Sequence, residues 1–494
     1  MKRLKLFILC FGILLHSFFV QSANPPKHEM RAVWLTTVYG LDWPHFYAKN
    51  ESSRMAQQQK ICEILDRLQE ANFNVVFLQA RLRGDVIWRS AIEPASKVFS
   101  GKYGVMPGYD PLAFVIEECH KRGMECHAWF VTFPLGKDKM VREQGRLSVV
   151  KKHPELCKHH QGEWYLDPGV PGTTNYILSL VKEVVTYYDI DGIHFDYVRY
   201  PENATKFPDK NQFRKSGASS LAEWRRKNIN KMMTRIYDLV KGLKPWVQVS
   251  SSPLGKYSRI PRVPNAGWTA YESVYQDPKE WFEAGKQDLI LPMMYYLHDN
   301  FFPFVDNWVE NSNHRLVVPG LGAYRLMKEE GDWELTDLTD QIDYSRYYGA
   351  AGCAFFRGEN ILENVKGLFD ELKGNYYKYP AMLPPLPWLD DTIPSSPKEI
   401  EVELKGHELC LTWQKPAEEN QDLTYTVYCT RTDSIDTSLA ENILITGIRD
   451  TMIYLPVDTV REQQFSFSVS ASTRFHIEGK PSRETYYYLS RYKK

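Results

Sequence analysis

The stretch from Asp189 to Pro201, DIDGIHFDYVRYP, decides how the rest of the chain is read. Ile190 to Tyr197 is apolar enough for a buried strand, and a glycine at 192 suits a strand approached closely by another part of the protein. Side chains alternate along a strand, so His194 and Asp196 are expected on one face and Ile193, Phe195 and Tyr197 on the other. Burying a carboxylate at the end of such a strand costs too much desolvation for Asp196 to be filler. Arg199, Tyr200 and Pro201 follow at once, where a loop would line a mouth. In parallel α/β proteins, that end of the strand carries the chemistry.

Outward from this stretch, strand-like runs alternate with amphipathic helical segments. The strands read as residues 31–37, 74–80, 124–131, 190–197, 247–252, 289–296, 316–321 and 351–356. Between them, Ile61, Ile64, Leu65 and Leu68 recur at helical spacing, as do Ile177, Val181, Val184 and Val185, and again Ile229, Met232, Met233 and Ile236. A last helix is expected over residues 364–372. Eight strand–helix units predict an α/β fold, a (β/α)8 TIM barrel over residues 24–375. Long segments after the third, fourth and fifth strands (132–172, 201–217 and 253–279) fall at one barrel end, where loops line a cleft.

At the N-terminus, Lys2, Arg3 and Lys5 precede the apolar run Leu6 to Val20, and small residues lead into Asn24-Pro25-Pro26. Residues 1–23 therefore read as a secretory signal peptide cleaved after Ser22 or Ala23, implying a secreted, periplasmic or cell-envelope protein without stable membrane insertion. The leader removes three basic and no acidic residues, so 58 basic face 61 acidic side chains. That balance recommends neither nucleic acid nor an anionic membrane as partner. Seven scattered cysteines remain, with no Cys-x-x-Cys, so neither a disulfide framework nor a zinc site is expected. Three loop histidines (His153, His159 and His160) lack partners at ligand spacing, and no cofactor or metal is expected. Oligomeric state is not legible.

Residues 376–394 carry Pro380, Pro384, Pro385, Pro387 and Pro394 and read as a stiff linker. From 395 to 494 the pattern changes to short alternating strands. Leu411-Thr412-Trp413 with Pro416, Tyr425 to Tyr428, and Phe465 to Val469 resemble the landmarks of a fibronectin type III sandwich, expected as a spacer or docking module.

Aromatic residues make up 14% of the chain, with 30 Tyr and 13 Trp, and many fall at strand ends. Trp34 (first strand), Gln79, Arg81 and Asp85 (second), His127 and Trp129 (third), His194, Arg199 and Tyr200 (fourth), Tyr295 and Tyr296 (sixth) and Tyr324 (seventh) form the expected substrate-binding set. A polar, ring-lined cleft at one barrel end suits polysaccharide. Glycoside hydrolysis generally needs two carboxyl groups. Asp196 is the first candidate. For the second, Asp277 and Glu272 lie on the loop after strand five, though Asp277-Pro278 also reads as a helix N-cap followed by proline at N1.

Gly192-Ile193-His194-Phe195-Asp196 resembles the Gly-x-basic-x-Asp form on strand four of some barrel glycosidases, which implies a nucleophilic Asp kept ionised by the basic residue. Together with Met30 to Leu35, Gln79-Ala80-Arg81 with Gly84-Asp85, Pro107 to Leu112, His127-Ala128-Trp129 and Gly192 to Pro201, the chain resembles the bacterial glycosyl-hydrolase-like family 10 across residues 28–375. The resemblance implies a secreted or envelope glycosidase cleaving glycan strands, with peptide-free peptidoglycan the substrate implied within the family. A dietary or host polysaccharide, or a barrel that only binds glycan, are the alternatives.

Overall fold

A computed structural model describes residues 25–416, 422–459 and 461–490; the expected leader lies outside them. The barrel is built in chain order from β1 (Met30–Leu35), α1 (Glu51–Glu70), β2 (Val75–Arg81), α2 (Pro111–Lys121), β3 (Glu125–Val131), a small inserted sheet β4 (Pro134–Lys137), β5 (Cys157–His160) and β6 (Glu163–Leu166), then α3 (Pro171–Tyr187) and β7 (Gly192–Asp196). It continues with α4 (Leu221–Leu243), β8 (Gln248–Ser252), α5 (Pro278–Glu283), β9 (Leu289–Ile290), α6 (Phe302–Glu310), β10 (Leu316–Val317), β11 (Gly320–Gly322), α7 (Leu335–Tyr347) and β12 (Gly352–Phe356).

The parallel sheet runs β10-β9-β8-β7-β3-β2-β1-β12-β11. β10 and β11 are one strand interrupted around Pro319, and it pairs with β9 on one side and β12 on the other, which closes eight strands into a barrel. Prolines explain the two shortened strands: Pro292 and Pro319 lack an N–H for the ladder, so the expected strand 289–296 pairs regularly only over β9 and then through isolated bridges of Met293 to Leu254 and Gly320.

Alternation sorts the core into two shells. Val33, Leu35, Val76, Leu78, Ala128, Phe130, Ile193 and Phe195 point outward to meet α1, α3 and α4 through the expected Ile61, Leu65, Val181, Val184, Met232 and Ile236. Trp34, Phe77, Trp129, Leu289, Val318 and Ala354 fill the barrel interior. Gly192 is forced by this filling: a Cβ there would collide with the His127 ring.

Beyond the barrel, β13 (Lys398–Lys405), β14 (Glu408–Gln414) and β17 (Met452–Pro456) form one antiparallel sheet, while β15 (Thr424–Thr430), β16 (Ile443–Ile448), β18 (Gln463–Ser472) and β19 (Thr485–Leu489) form another. Leu409, Leu411, Trp413, Tyr425, Val427, Phe467 and Val469 pack between them. β16 and β17 escaped the sequence reading, the first because Gly447, in a left-handed turn, breaks its run.

The proline-rich segment, expected as a stiff linker, is a strap bound across the amino-terminal floor of the barrel. Met382 N–H donates to the Lys27 carbonyl at 2.8 Å and Leu386 N–H to the Phe475 carbonyl at 2.9 Å, and the Trp388 indole reaches Asp288 at 3.0 Å. The sandwich is seated on the same floor. Arg449 and Arg474 bind Asp189 at 2.7 and 2.9 Å. His476 directs Nε2 at Glu125 (2.6 Å) and Nδ1 at the Pro384 carbonyl (2.9 Å). Both its neighbours are acceptors, so both ring nitrogens carry protons and His476 is an imidazolium.

Candidate active site

β7 delivers Asp196 to the carboxyl end of the barrel, nearly buried. Burial pushes its carboxyl pKa up, while the Arg199 charge and then the Tyr197 backbone N–H draw it back. That N–H meets Asp196 Oδ1 at 2.7 Å. The bond requires a turn the sequence did not reveal. The strand stops at Asp196, and Tyr197 adopts a left-handed backbone with φ 53°, an unusual and strained conformation for an aromatic residue. Tyr197 is therefore not on the outer face with Phe195; its ring lies 4.7 Å from the Arg199 guanidinium.

Arg199 is itself 8% exposed. Its guanidinium sits between Tyr197 and the half-exposed Trp268, 5.8 Å from the Trp268 ring centre, and its buried Nε has no hydrogen-bond partner among the described residues. Nearby, the Trp129 indole N–H and the Ser252 hydroxyl favour the Asp196 carboxylate, though neither closes a hydrogen bond. Across the mouth, Tyr295 stacks on Phe356 at 5.7 Å and meets Tyr324 edge-on at 5.6 Å. Burial foremost, then the Asp196 charge, pushes the Tyr295 phenol well up. Tyr296 lies under Lys256, 4.7 Å from its ring centre.

Several expected substrate contacts have structural duties instead. Arg81 is fully buried, forks onto Glu93 at 2.6 and 2.9 Å, and donates to the carbonyls of Val131 and Thr132. Gln79 accepts from the N–H groups of Thr37 and Val38 at 3.1 and 2.8 Å, pinning the loop after β1. Asp85 is buried and accepts from Arg83 N–H within its own turn. Tyr200 is covered, lying 4.8 Å from the Arg225 guanidinium and against Phe207 and Tyr275. His194 lies on the inner face with Asp196, as alternation predicts, and Trp34 and His127 lie on that face too, a layer below the mouth. Trp34 Nε1 donates to His194 Nε2 at 3.2 Å, so His194 carries its proton on Nδ1 toward Ser250, 2.9 Å away. Burial pushes its pKa well down. The expectation of a cationic residue two before Asp196 is thus corrected: His194 is neutral, and Arg199 is the cation that acts on the carboxylate.

The second carboxylate does not come from the expected loop residues acting freely. Asp277 caps α5, accepting from Glu280 N–H, and takes the Tyr257 hydroxyl at 2.8 Å. Glu272 is exposed and bonds the Thr269 hydroxyl at the start of the turn Ala270–Ser273. Sequence reasoning missed Tyr197, Trp268 and Phe356. Only Phe356, last in its strand, had a positional signal.

A closed (β/α)8 barrel holding a buried acid, an unpaired guanidinium and a ring-lined mouth at its carboxyl end has the architecture of a barrel glycosidase. A model of the family described as "Glycosyl hydrolase-like 10" matches residues 29–313, and the chain belongs to that family. Similar proteins include "Glycosyl hydrolase YngK" of Bacillus subtilis (strain 168), 30% identical over 481 residues, covering 92% of this chain and 93% of the relative. "Glycosyl hydrolase DigH" of Escherichia coli (strain K12) is 34% identical over 357 residues, covering 65% of this chain and 80% of its own. Among solved structures, the glycoside hydrolase domain of PgaB (BpsB) from Bordetella bronchiseptica aligns with a TM-score of 0.49 and 15% identity, over 70% of this chain and 99% of that one.

Proposed function

We propose that this protein is a secreted glycoside hydrolase of the bacterial cell envelope that cleaves peptide-free peptidoglycan strands, with Asp196 as its principal catalytic carboxyl group. The observation that carries this reading is the Arg199 guanidinium held beside Asp196 without an ion pair of its own among the described residues. Arg81, Arg225 and Arg346 all close ion pairs with carboxylates. Arg199 is nearly buried too, but among the described residues its Nε has no partner, between two aromatic faces beside Asp196. A guanidinium so prepared suits a carboxylate on the substrate, where bidentate pairing is directional as well as attractive. Each disaccharide of a peptide-free strand carries one lactyl carboxylate, and the rings of Tyr295, Tyr324 and Phe356 suit the apolar faces of pyranoses. The glycosyl hydrolase names of the relatives favour hydrolysis over mere binding. The C-terminal sandwich, on this reading, is a fibronectin type III-like module.

The test compares wild type with Asp196→Asn on peptide-free glycan strands, intact peptidoglycan and neutral polysaccharides. We expect wild type to release saccharides from the peptide-free strands, and Asp196→Asn to lose about 10³-fold in turnover while remaining folded. Equal turnover by both would overturn the catalytic assignment. Tight binding of strands without cleavage would favour a glycan-binding barrel. Release from a neutral polysaccharide alone would overturn the substrate.

A further inference from the structure

The acidic side chains that could join Asp196 in a two-carboxylate mechanism are already engaged, and Glu163, whose charge reaches Tyr197, takes the Tyr165 hydroxyl at 2.8 Å. Asp277 is bound by its helix and by Tyr257, Glu272 by Thr269, and Asp85 by its own turn. Asp42, buried at the end of the β1 loop, accepts both the N–H and the hydroxyl of Thr36 and the N–H of Glu359. Glu359 is paired with Arg357. The groups that do set the charge on Asp196 are a guanidinium, a backbone N–H, a hydroxyl and an indole N–H. Two of them, Trp129 Nε1 and Ser252 Oγ, are buried and lack a partner. Tyr295, whose phenol feels the Asp196 charge, belongs to an aromatic wall with Tyr324 and Phe356, and Trp34 lies 6.4 Å from Phe356 beneath. Such a box accepts a small flat group with a methyl at one end and hydrogen-bonding atoms at the other.

We propose that Asp196 is the single catalytic carboxyl group of a substrate-assisted hydrolase, in which the nucleophile is the carbonyl oxygen of the sugar's own 2-acetamido group, seated between Asp196 and the Tyr295–Tyr324–Phe356 wall. This rests on the glycosidase reading above and narrows its substrates to 2-acetamido-2-deoxy sugars on the non-reducing side of the scissile bond. In the first step, Asp196 as the neutral acid gives its proton to the glycosidic oxygen. The C1–O bond breaks, the acetamido oxygen bonds to C1, and the departing chain leaves as an alcohol, with an oxazolinium ring left behind. In the second step water attacks C1 and passes a proton to the Asp196 carboxylate. The bond from C1 to the acetamido oxygen breaks, the amide is restored, and the anomeric configuration is retained. Burial favours the neutral acid that gives the proton in the first step, and the nearby Arg199 favours the carboxylate that takes it back in the second.

The experiment uses the full chain on peptide-free glycan strands in the presence and absence of the thiazoline analogue of N-acetylglucosamine, a stable mimic of the oxazolinium ring. Intact-protein mass spectrometry after acid quenching and the configuration of the first-formed product are recorded alongside. We expect competitive inhibition that lowers kcat/KM by tenfold or more at saturating inhibitor, no sugar attached to the protein, and a retained anomer. Unimpaired cleavage in the presence of the thiazoline, a sugar ester on a carboxylate of the chain, or an inverted product would each overturn the acetamido mechanism while leaving the glycosidase reading intact. Failure of wild type to cleave any 2-acetamido glycan would overturn both.

Discussion

The two ends of the barrel treat charge in opposite ways. At the floor, Glu125 receives His476 at 2.6 Å, His127 at 3.0 Å and Gln248 at 2.8 Å. Asp288 is likewise bound by Lys241 at 2.7 Å and by Trp388 at 3.0 Å. At the mouth, Asp196 has one good hydrogen bond, from its neighbour's backbone, and Arg199 keeps a buried Nε unused. A buried charge left short of partners destabilises the fold, so one held beside Asp196 marks the mouth as the candidate site. The floor's ion pairs and hydrogen bonds join sandwich, strap and barrel.

The comparison is broken most forcefully from below. His476→Ala would leave Glu125 buried without its imidazolium, and we expect a loss of about 3–5 kcal/mol in unfolding free energy, read from denaturant titration, with kcat of the folded protein unchanged. The pH dependence follows from two opposed shifts. His476 is raised above its usual 6.5 by the Glu125 charge, against desolvation, which is the largest influence and acts the other way. Its contribution is therefore complete below about pH 6.5 and fades as pH climbs through the folded value. Glu125 is held below its usual 4.5 by the His476 charge and by hydrogen bonds from His127 and His476, again against a larger desolvation. Its contribution is complete above about pH 4.5 and fades in acid. The stability gap between wild type and His476→Ala should be widest between those limits; a gap that does not vary from pH 4 to 9 would refute the ion pair.

A mouth substitution should show the reverse pattern. For Arg199→Met we expect unfolding free energy unchanged or higher and kcat/KM on carboxylate-bearing strands lower by about 10- to 100-fold, the worth of a charged hydrogen bond of roughly 1.5–3 kcal/mol. An equal loss on a glycan without carboxylates would mean that Arg199 acts on Asp196 alone.

The smallest expected effect tests an intermediate zone, the inserted sheet. Asp167 follows β6, is fully buried, and has its pKa pushed up to about 6 by burial. A folded pKa above the unfolded 3.8 means stability present in acid and lost as pH rises toward 6. Asp167→Asn should therefore gain about 1–2 kcal/mol at pH 7.5 and nothing at pH 4, as measured by thermal unfolding at both.

The barrel itself was legible because its signals are local and repeated. Ile61, Ile64, Leu65 and Leu68 fall on one helix face whatever surrounds them, and the period-two pattern of residues 190–196 required one inward and one outward row. Asp196 stood out for the same reason, as a carboxylate where an inward residue must be buried. The site around it was less legible. Arg81 and Arg199 look alike in sequence, each following a strand; only the fold brings Glu93 to the first and leaves Nε of the second unpartnered. Trp268 is separated from Arg199 by a whole strand–helix unit.

What the sequence determined by itself was thus the fold, the strand that presents Asp196, and the family resemblance, all of which depend on residues within a few positions of one another. What only the tertiary structure decided was which charges are spent. It made His194 neutral beneath Trp34, turned Tyr197 into the mouth through a left-handed backbone, gave Asp277 to a helix, and converted a proline-rich stretch into a strap under the barrel. Charge state and pairing depend on desolvation and on partners distant in the chain, and those exist only once the chain has closed on itself.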